Sequence, residues 1–305
     1  MTIVAMVSKD KIEAIGNVLN DPRRPLKERF RALFTLKNLG GPEAISCIEK
    51  CFSDNSALLK HELAYCLGQM QDERAIPILI SVLRNTDQEP MVRHEAGEAL
   101  GAIGSEEVIE VLKEYANDKT PEVAETCQLA LSRIQWLSNQ KKESEGLPEN
   151  PFASVDPAPP ANDKDISHLE NILLDNNKPL FDRYRAMFTL RNLRSPESAL
   201  AISKGLKTGS ALFKHEVAFV LGQLQDPSSV DYLIEGLQDL EENEMVRHEC
   251  AEALGSIATE KCVEILKTYL NDSKQVVRES CEVALDISDY ATSPEFQYAD
   301  TLSLV

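Results

Sequence analysis

The stretch HELAYCLGQM, residues 61–70, returns as HEAGEALGAI at 94–103, HEVAFVLGQL at 215–224 and HECAEALGSI at 248–257. Four of the chain's five histidines open these copies, each after a basic residue (Lys60, Arg93, Lys214, Arg247) and before a glutamate. Related segments without the His-Glu pair flank them. FRALFTLKNL (30–39) and ETCQLALSRI (125–134) extend the first series with steps of 31, 33 and 31 residues; Tyr184, His215, His248 and Glu279 repeat those steps in the second. The two series lie 154 residues apart, which also relates PLKERFRALFTLKNL (25–39) to PLFDRYRAMFTLRNL (179–193). Helical apolar patterns repeating every thirty-odd residues, with short polar breaks, predict an all-α fold, an α-solenoid of helical hairpins. Ser195-Pro196 and Asp226-Pro227 read as helix starts with proline in the first turn.

The duplication divides the chain into a first four-repeat half at 1–137, a linker at 138–165 rich in Pro, Asn, Ser and charge, a second half at 166–290 and a tail at 291–305. The linker is expected to be flexible and the tail poorly ordered. The 305 residues carry a net charge of -18, which disfavours nucleic acid as a partner. No apolar run is long enough for a membrane span, and the N-terminal residues lack the basic start of a secretory signal. The seven cysteines are odd in number and form no C-x-x-C, so reduced core thiols in a cytoplasmic protein are expected.

The fold does not need the His-Glu pair. Repeats one and four of each half have Phe30-Arg31, Glu125-Thr126, Tyr184-Arg185 and Glu279-Ser280 in its place. A pair confined to the middle two repeats of both halves points to function rather than to helix initiation. His61, Glu62, His94, Glu95, His215, Glu216, His248 and Glu249 form a nitrogen and oxygen donor set suited to iron, manganese or zinc rather than to calcium or magnesium. Tyr65, Glu98, Phe219 and Glu252 stand where a zinc-protease motif would need its second histidine, so that motif is excluded. The two-fold pattern suggests two metals. In one continuous solenoid His94 and His215 would lie about 30 Å apart at ~10 Å per helix layer. Paired metals stand roughly 3.5–4 Å apart, so the linker is expected to let the halves face each other across a pseudo-two-fold axis.

These features resemble the deoxyhypusine hydroxylase family, HEAT-repeat proteins with four His-Glu motifs in two halves, over residues 10–290. The resemblance implies two facing halves of HEAT-like hairpins and a non-haem di-iron monooxygenase. Such an enzyme uses two Fe ions (Fe2+/Fe3+) and O2, through a peroxo-bridged diferric species. It would hydroxylate the deoxyhypusine side chain of a translation initiation factor to give hypusine, with no nucleic-acid or membrane partner and as a monomer. By position, His61, His94 and Glu95 would serve one iron and His215, His248 and Glu249 the other. Glu62 and Glu216 are the candidates for the catalytic site's grip on the cationic substrate amines, and are also possible metal ligands. Glu98 and Glu252 could orient ligands or simply face solvent; Tyr65 and Phe219 read as core aromatics, and His168 as a surface residue. The competing readings are a non-catalytic HEAT scaffold and a metal-free, chromophore-binding lyase; neither requires eight paired ligands.

Overall fold

A computed structural model describes residues 7–143, 150–295, 297–303 and 305. Among them are sixteen α-helices and no strand. The chain forms two compact units, one of residues 1–134 with 294–305 and the other of residues 135–293.

In the first unit the hairpins are α1 (Lys9–Asn20) with α2 (Leu26–Leu39), α3 (Gly41–Lys50) with α4 (Ala57–Met70), α5 (Ile76–Arg84) with α6 (Pro90–Ile103), and α7 (Ile109–Tyr115) with α8 (Pro121–Glu143). The second unit repeats the plan with α9 (Ile166–Leu174) and α10 (Leu180–Leu193), α11 (Pro196–Ser203) and α12 (Ala211–Leu224), α13 (Val230–Gln238) and α14 (Glu244–Ile257), and α15 (Glu260–Thr268) and α16 (Gln275–Ala291). The second helices of successive hairpins pack side by side, α2 on α4 on α6 and α10 on α12 on α14 on α16.

The expected helix starts are present. Ser195 caps α11 in a reciprocal capping box with Ser198, with Pro196 in the first turn. Asp226 caps a short 3-10 turn, Pro227–Ser229, that leads into α13. The His-Glu pairs lie one turn further in than their sequence position at a presumed helix start suggests. Ser56 caps α4, accepting from the Leu59 N–H, and Ser210 caps α12 through Phe213, so His61 and His215 are fifth in their helices. The first turn is therefore built by cap residues, and the pair is free for other work.

The basic residue before each pair is part of the scaffold. Arg93 Nε donates to the Leu83 carbonyl, and Nη2 meets Asp118 at 2.6 Å; Arg247 does the same with Leu237 and Asp272. Lys60 and Lys214 reach Glu89 and Glu242 at 2.7 and 2.6 Å. Arg29 and Arg183 take the same place in repeats that lack the pair, bonding Leu19 O and Leu173 O. Each guanidinium satisfies a carbonyl at the end of the preceding helix that would otherwise be orphaned.

Two segments hold more structure than their composition suggests. Helix α8 runs on to Glu143, and residues 150–161 of the expected linker are fastened to α10. Arg191, fully buried, forms a bidentate pair with Asp156 (2.7 and 2.8 Å), bonds Asn150 and Gln223, and lies 4.6 Å from the Phe152 ring and 4.8 Å from Phe188. The tail also departs from its expected disorder: Tyr298 and Thr301 dock on α2 in the first unit. All seven cysteines are buried free thiols. Burial pushes Cys127 and Cys281 up to about 12 and Cys51 to about 11, which leaves them protonated and inert.

Candidate metal centre

The motif's glycine sets the distance between the site helices. A Cβ on Gly68 of α4 would stand 2.7 Å from the Ala99 Cα of α6, and one on Gly222 of α12 would stand 3.1 Å from the Ala253 Cα of α14. Only a bare backbone allows this approach. Just beyond each helix, left-handed Gln71 and Gln225 tie the same helices again, their side-chain amides donating to Ala102 O and Ser256 O.

Two turns back from each glycine, the close packing brings the histidines together. His61 and His94 have ring centroids 5.4 Å apart at 43°, and His215 and His248 are 5.3 Å apart at 44°. Glu95 Oε2 is 3.3 Å from His61 Nε2 and 4.0 Å from His94 Nε2; Glu249 Oε2 is 3.3 Å from His215 Nε2. His215, His248 and Glu249 present donor atoms all within 4.8 Å of one another. Every one of these side chains is buried. Each unit thus assembles two imidazoles and one carboxylate, the three residues expected to work together in that half.

This set fits a transition metal. Donors about 2.1 Å from an ion stand roughly 3–4 Å apart, and the histidine-to-glutamate distances here are 3.3–4.0 Å. Two histidines and a carboxylate with positions left open is the donor set of non-haem Fe(II) oxygenases. Glu62 and Glu216, the remaining acids of the eight, are buried one residue beyond His61 and His215. A carboxylate taken that far from water demands positive charge or hydrogen-bond donors around it.

The residues behind the histidines differ between the units. Thr126 Oγ1 lies 3.5 Å from His94 Nδ1. At His248 Nδ1 the neighbour at 3.5 Å is Glu252 Oε1, which in turn accepts from Ser280 Oγ at 3.3 Å. Glu252 therefore backs a ligand instead of facing solvent, and Glu98 presents a carboxylate within 4.8 Å of donor atoms of His94 and Glu95. Thr126 and Ser280 are neighbours of the histidine cluster that the sequence reading passed over. Their signal was the repeat alignment, where they take in repeat four the slot held by glutamate in repeats two and three. Tyr65 is not a simple core aromatic: it is half-buried, and burial, Glu62, Glu95 and Glu98 keep its phenol protonated well above the usual tyrosine range. His168 is exposed and pairs with Asp163, as a surface residue would.

Fold and site define a helical-repeat protein with a duplicated His-His-carboxylate centre. HEAT repeats match residues 12–89, 49–132 and 201–286. The chain is 64% identical over 299 residues, 98% of each chain, to deoxyhypusine hydroxylase of Drosophila melanogaster, and 59% identical over 297 residues, 97% of each, to that of Homo sapiens. The structure of human deoxyhypusine hydroxylase in complex with glycerol is 58% identical and superimposes with a TM-score of 0.90, covering 94% of this chain and 98% of that one. The chain belongs to the deoxyhypusine hydroxylase family; it is an enzyme, a hydroxylase of hypusine formation.

Proposed function

We propose that the protein is a di-iron monooxygenase that hydroxylates the deoxyhypusine side chain of a translation initiation factor. The observation that carries this reading is the His-His-carboxylate set, built twice with matching spacings of 3.3 Å and 5.3–5.4 Å. One iron would be held by His61, His94 and Glu95 and the other by His215, His248 and Glu249. Bound iron would supply the redox chemistry that activates O2.

The side chains of the protein account for the rest. The imidazoles would coordinate as neutral groups, and Glu95 and Glu249 would offset the metal charge in a buried setting. Thr126 and Glu252 stand beside Nδ1 of His94 and His248 and would leave Nε2 of each ring for a metal. Glu62 and Glu216 would take the cationic amines of the substrate through charge-assisted hydrogen bonds and so orient the carbon to be hydroxylated. The apolar helix faces beneath the site exclude water. The buried unpaired thiols support a reducing compartment, the cytoplasm, and no helix among the described residues is long and apolar enough to cross a membrane. A monomer suffices, because each chain holds both sets.

The test is iron content per chain alongside hydroxylation. Wild-type protein should hold two irons. His61→Ala and His215→Ala should each lose iron and activity while keeping their helical signal. Glu62→Gln and Glu216→Gln should keep iron and lose substrate affinity. Two irons retained with full activity in the histidine variants would sink the ligand assignment.

A further inference from the structure

Two segments outside the helical repeats fasten to the same place in each unit. In the first, Arg31 Nη1 donates to Glu295 Oε2 at 2.9 Å and Asp300 Oδ2 at 3.3 Å, and its guanidinium lies 4.7 Å from the Tyr298 ring centroid. Tyr298 meets Phe34 edge-on at 6.0 Å, and the Thr301 N–H donates to Thr35 Oγ1. In the second, Arg185 donates to the carbonyls of Pro159 and Pro160, and the Ala161 N–H donates to Thr189 Oγ1 at 2.7 Å. Arg31, Phe34 and Thr35 are the 154-residue counterparts of Arg185, Phe188 and Thr189. Residues 294–295 with 297–303, and residues 150–161, are therefore equivalent straps on the first repeat of their units.

Their placement bears on the site. By the repeat steps of 31 and 33, Arg31 occupies the slot that holds Glu62 in α4 and Glu95 in α6. The helix that carries it, α2, packs directly on α4. A largely buried cation, its side chain 14% exposed, thus ends a row of acids. Within the proposed function that row receives a cationic substrate. Without the strap carboxylates, a guanidinium about 10 Å away, one helix spacing, would repel the incoming amine.

We propose that the strap carboxylates Glu295 and Asp300 set the specificity of the first unit's site by holding and neutralising Arg31, so that a cationic substrate at Glu62 is not repelled from that side. Tyr298 fixes the guanidinium from the other side by a cation-π contact. Arg31 stands outside the His-His-carboxylate set, so the strap is expected to act on substrate affinity and to leave metal retention alone. This inference rests on the reading of Glu62 as a substrate-binding residue.

The experiment is a charge cycle on the full-length, iron-loaded protein. KM and kcat are measured with the deoxyhypusine-bearing protein substrate, together with iron content and Tm. The double variant Glu295→Gln, Asp300→Asn should raise KM several-fold to tenfold, with kcat within about twofold and iron unchanged. Adding salt should shrink the rise only in part, since the screening length is ~8 Å at physiological ionic strength and a largely buried charge is screened less than an exposed one. Adding Arg31→Ala to the double variant should bring KM back toward wild type; a strap that merely braced the fold would show further loss instead. An unchanged KM in the double variant, or no recovery on adding Arg31→Ala, overturns the proposal. Should the double variant fold poorly, Asp300→Asn alone and Asp300→Asn with Arg31→Ala provide the same cycle. Glu62→Gln is measured beside them. If it leaves KM unchanged, the reading of Glu62 fails; if it raises KM while the strap variants do not, only the strap inference fails.

Discussion

The two units share their ligand geometry and differ in nearly everything around it. His61 to Glu95 and His215 to Glu249 are both 3.3 Å, and the imidazole pairs agree within 0.1 Å and 1°. Yet the strap on α2 is gripped by the largely buried Arg31, while the strap on α10 is also locked by the fully buried Arg191, whose counterpart Lys37 only approaches Phe34 at 5.6 Å. Behind the inner histidines one unit uses Thr126 and the other Glu252 with Ser280. The site geometry is thus set by what the units have in common, the close helix packing at the motif glycine. The straps and the groups behind the rings can vary without moving the ligands.

That comparison can be broken at several points. The largest expected effect is at Arg191. Arg191→Ala strands Asp156 in a buried position and should cost about 3–5 kcal/mol, the usual loss when one member of a buried pair is removed. Lys37→Ala should cost less than about 0.5 kcal/mol. Denaturant titrations that resolve the two units would check this, and equal losses would mean the straps are interchangeable. Next come the residues behind the rings. Glu252→Gln should weaken iron retention about 10–100-fold, the usual effect of losing a group that orients a metal ligand. Thr126→Val should weaken it less, because a hydroxyl polarises the imidazole less than a carboxylate does. Competition with a chelator measures both, and identical losses would erase the difference between the units.

Smaller again is Gly68→Ala. Its new Cβ would press on the Ala99 backbone at 2.7 Å, against 3.1 Å for the matching change at Gly222. Overpacking of this kind costs about 1–3 kcal/mol, so Gly68→Ala should lower Tm more than Gly222→Ala. The smallest expected difference is in pH dependence. At Asp118 burial is the largest single cause and raises the carboxyl, but the hydrogen bonds from Arg93 and Thr120 and the Arg93 charge together outweigh it and the net shift is downward; at Asp272 the hydrogen bond from Arg247 is the main cause of the same shift. A depressed folded-state value gives stability that is present above the ordinary carboxylate value of 3.8 and is lost as pH falls through the lower folded value. Both units should weaken together below about pH 4. Acid titration followed by circular dichroism would expose a unit that does otherwise.

Much of this was legible in the sequence because repetition separates scaffold from site. The basic residue recurs in repeats with and without the His-Glu pair, and it proves to be a brace between helices. The pair recurs only in the middle repeats, and its side chains are the ones that adjacent helices bring together. The same alignment held more than was read from it. In the glutamate slot it gives Arg31, Glu62, Glu95 and Thr126 in the first half and Arg185, Glu216, Glu249 and Ser280 in the second. The outer members looked like absences of the motif, whereas Thr126 and Ser280 stand behind the ligands and Arg31 and Arg185 hold the straps. The straps themselves were hidden by their composition. Proline and charge read as solvated linker, and only a buried guanidinium such as Arg191, far away in sequence, gives Asp156 and Asn150 a reason to be ordered.

By itself the sequence determined the helical repeat, its duplication and the eight side chains at issue, because periodicity and spacing are local properties written into the order of residues. Tertiary structure alone decided how close the histidines of adjacent repeats come, which groups stand behind them and where the two non-repeat segments bind. Those outcomes depend on packing between helices some thirty residues apart, and for the tail on contacts more than 260 residues apart in the chain.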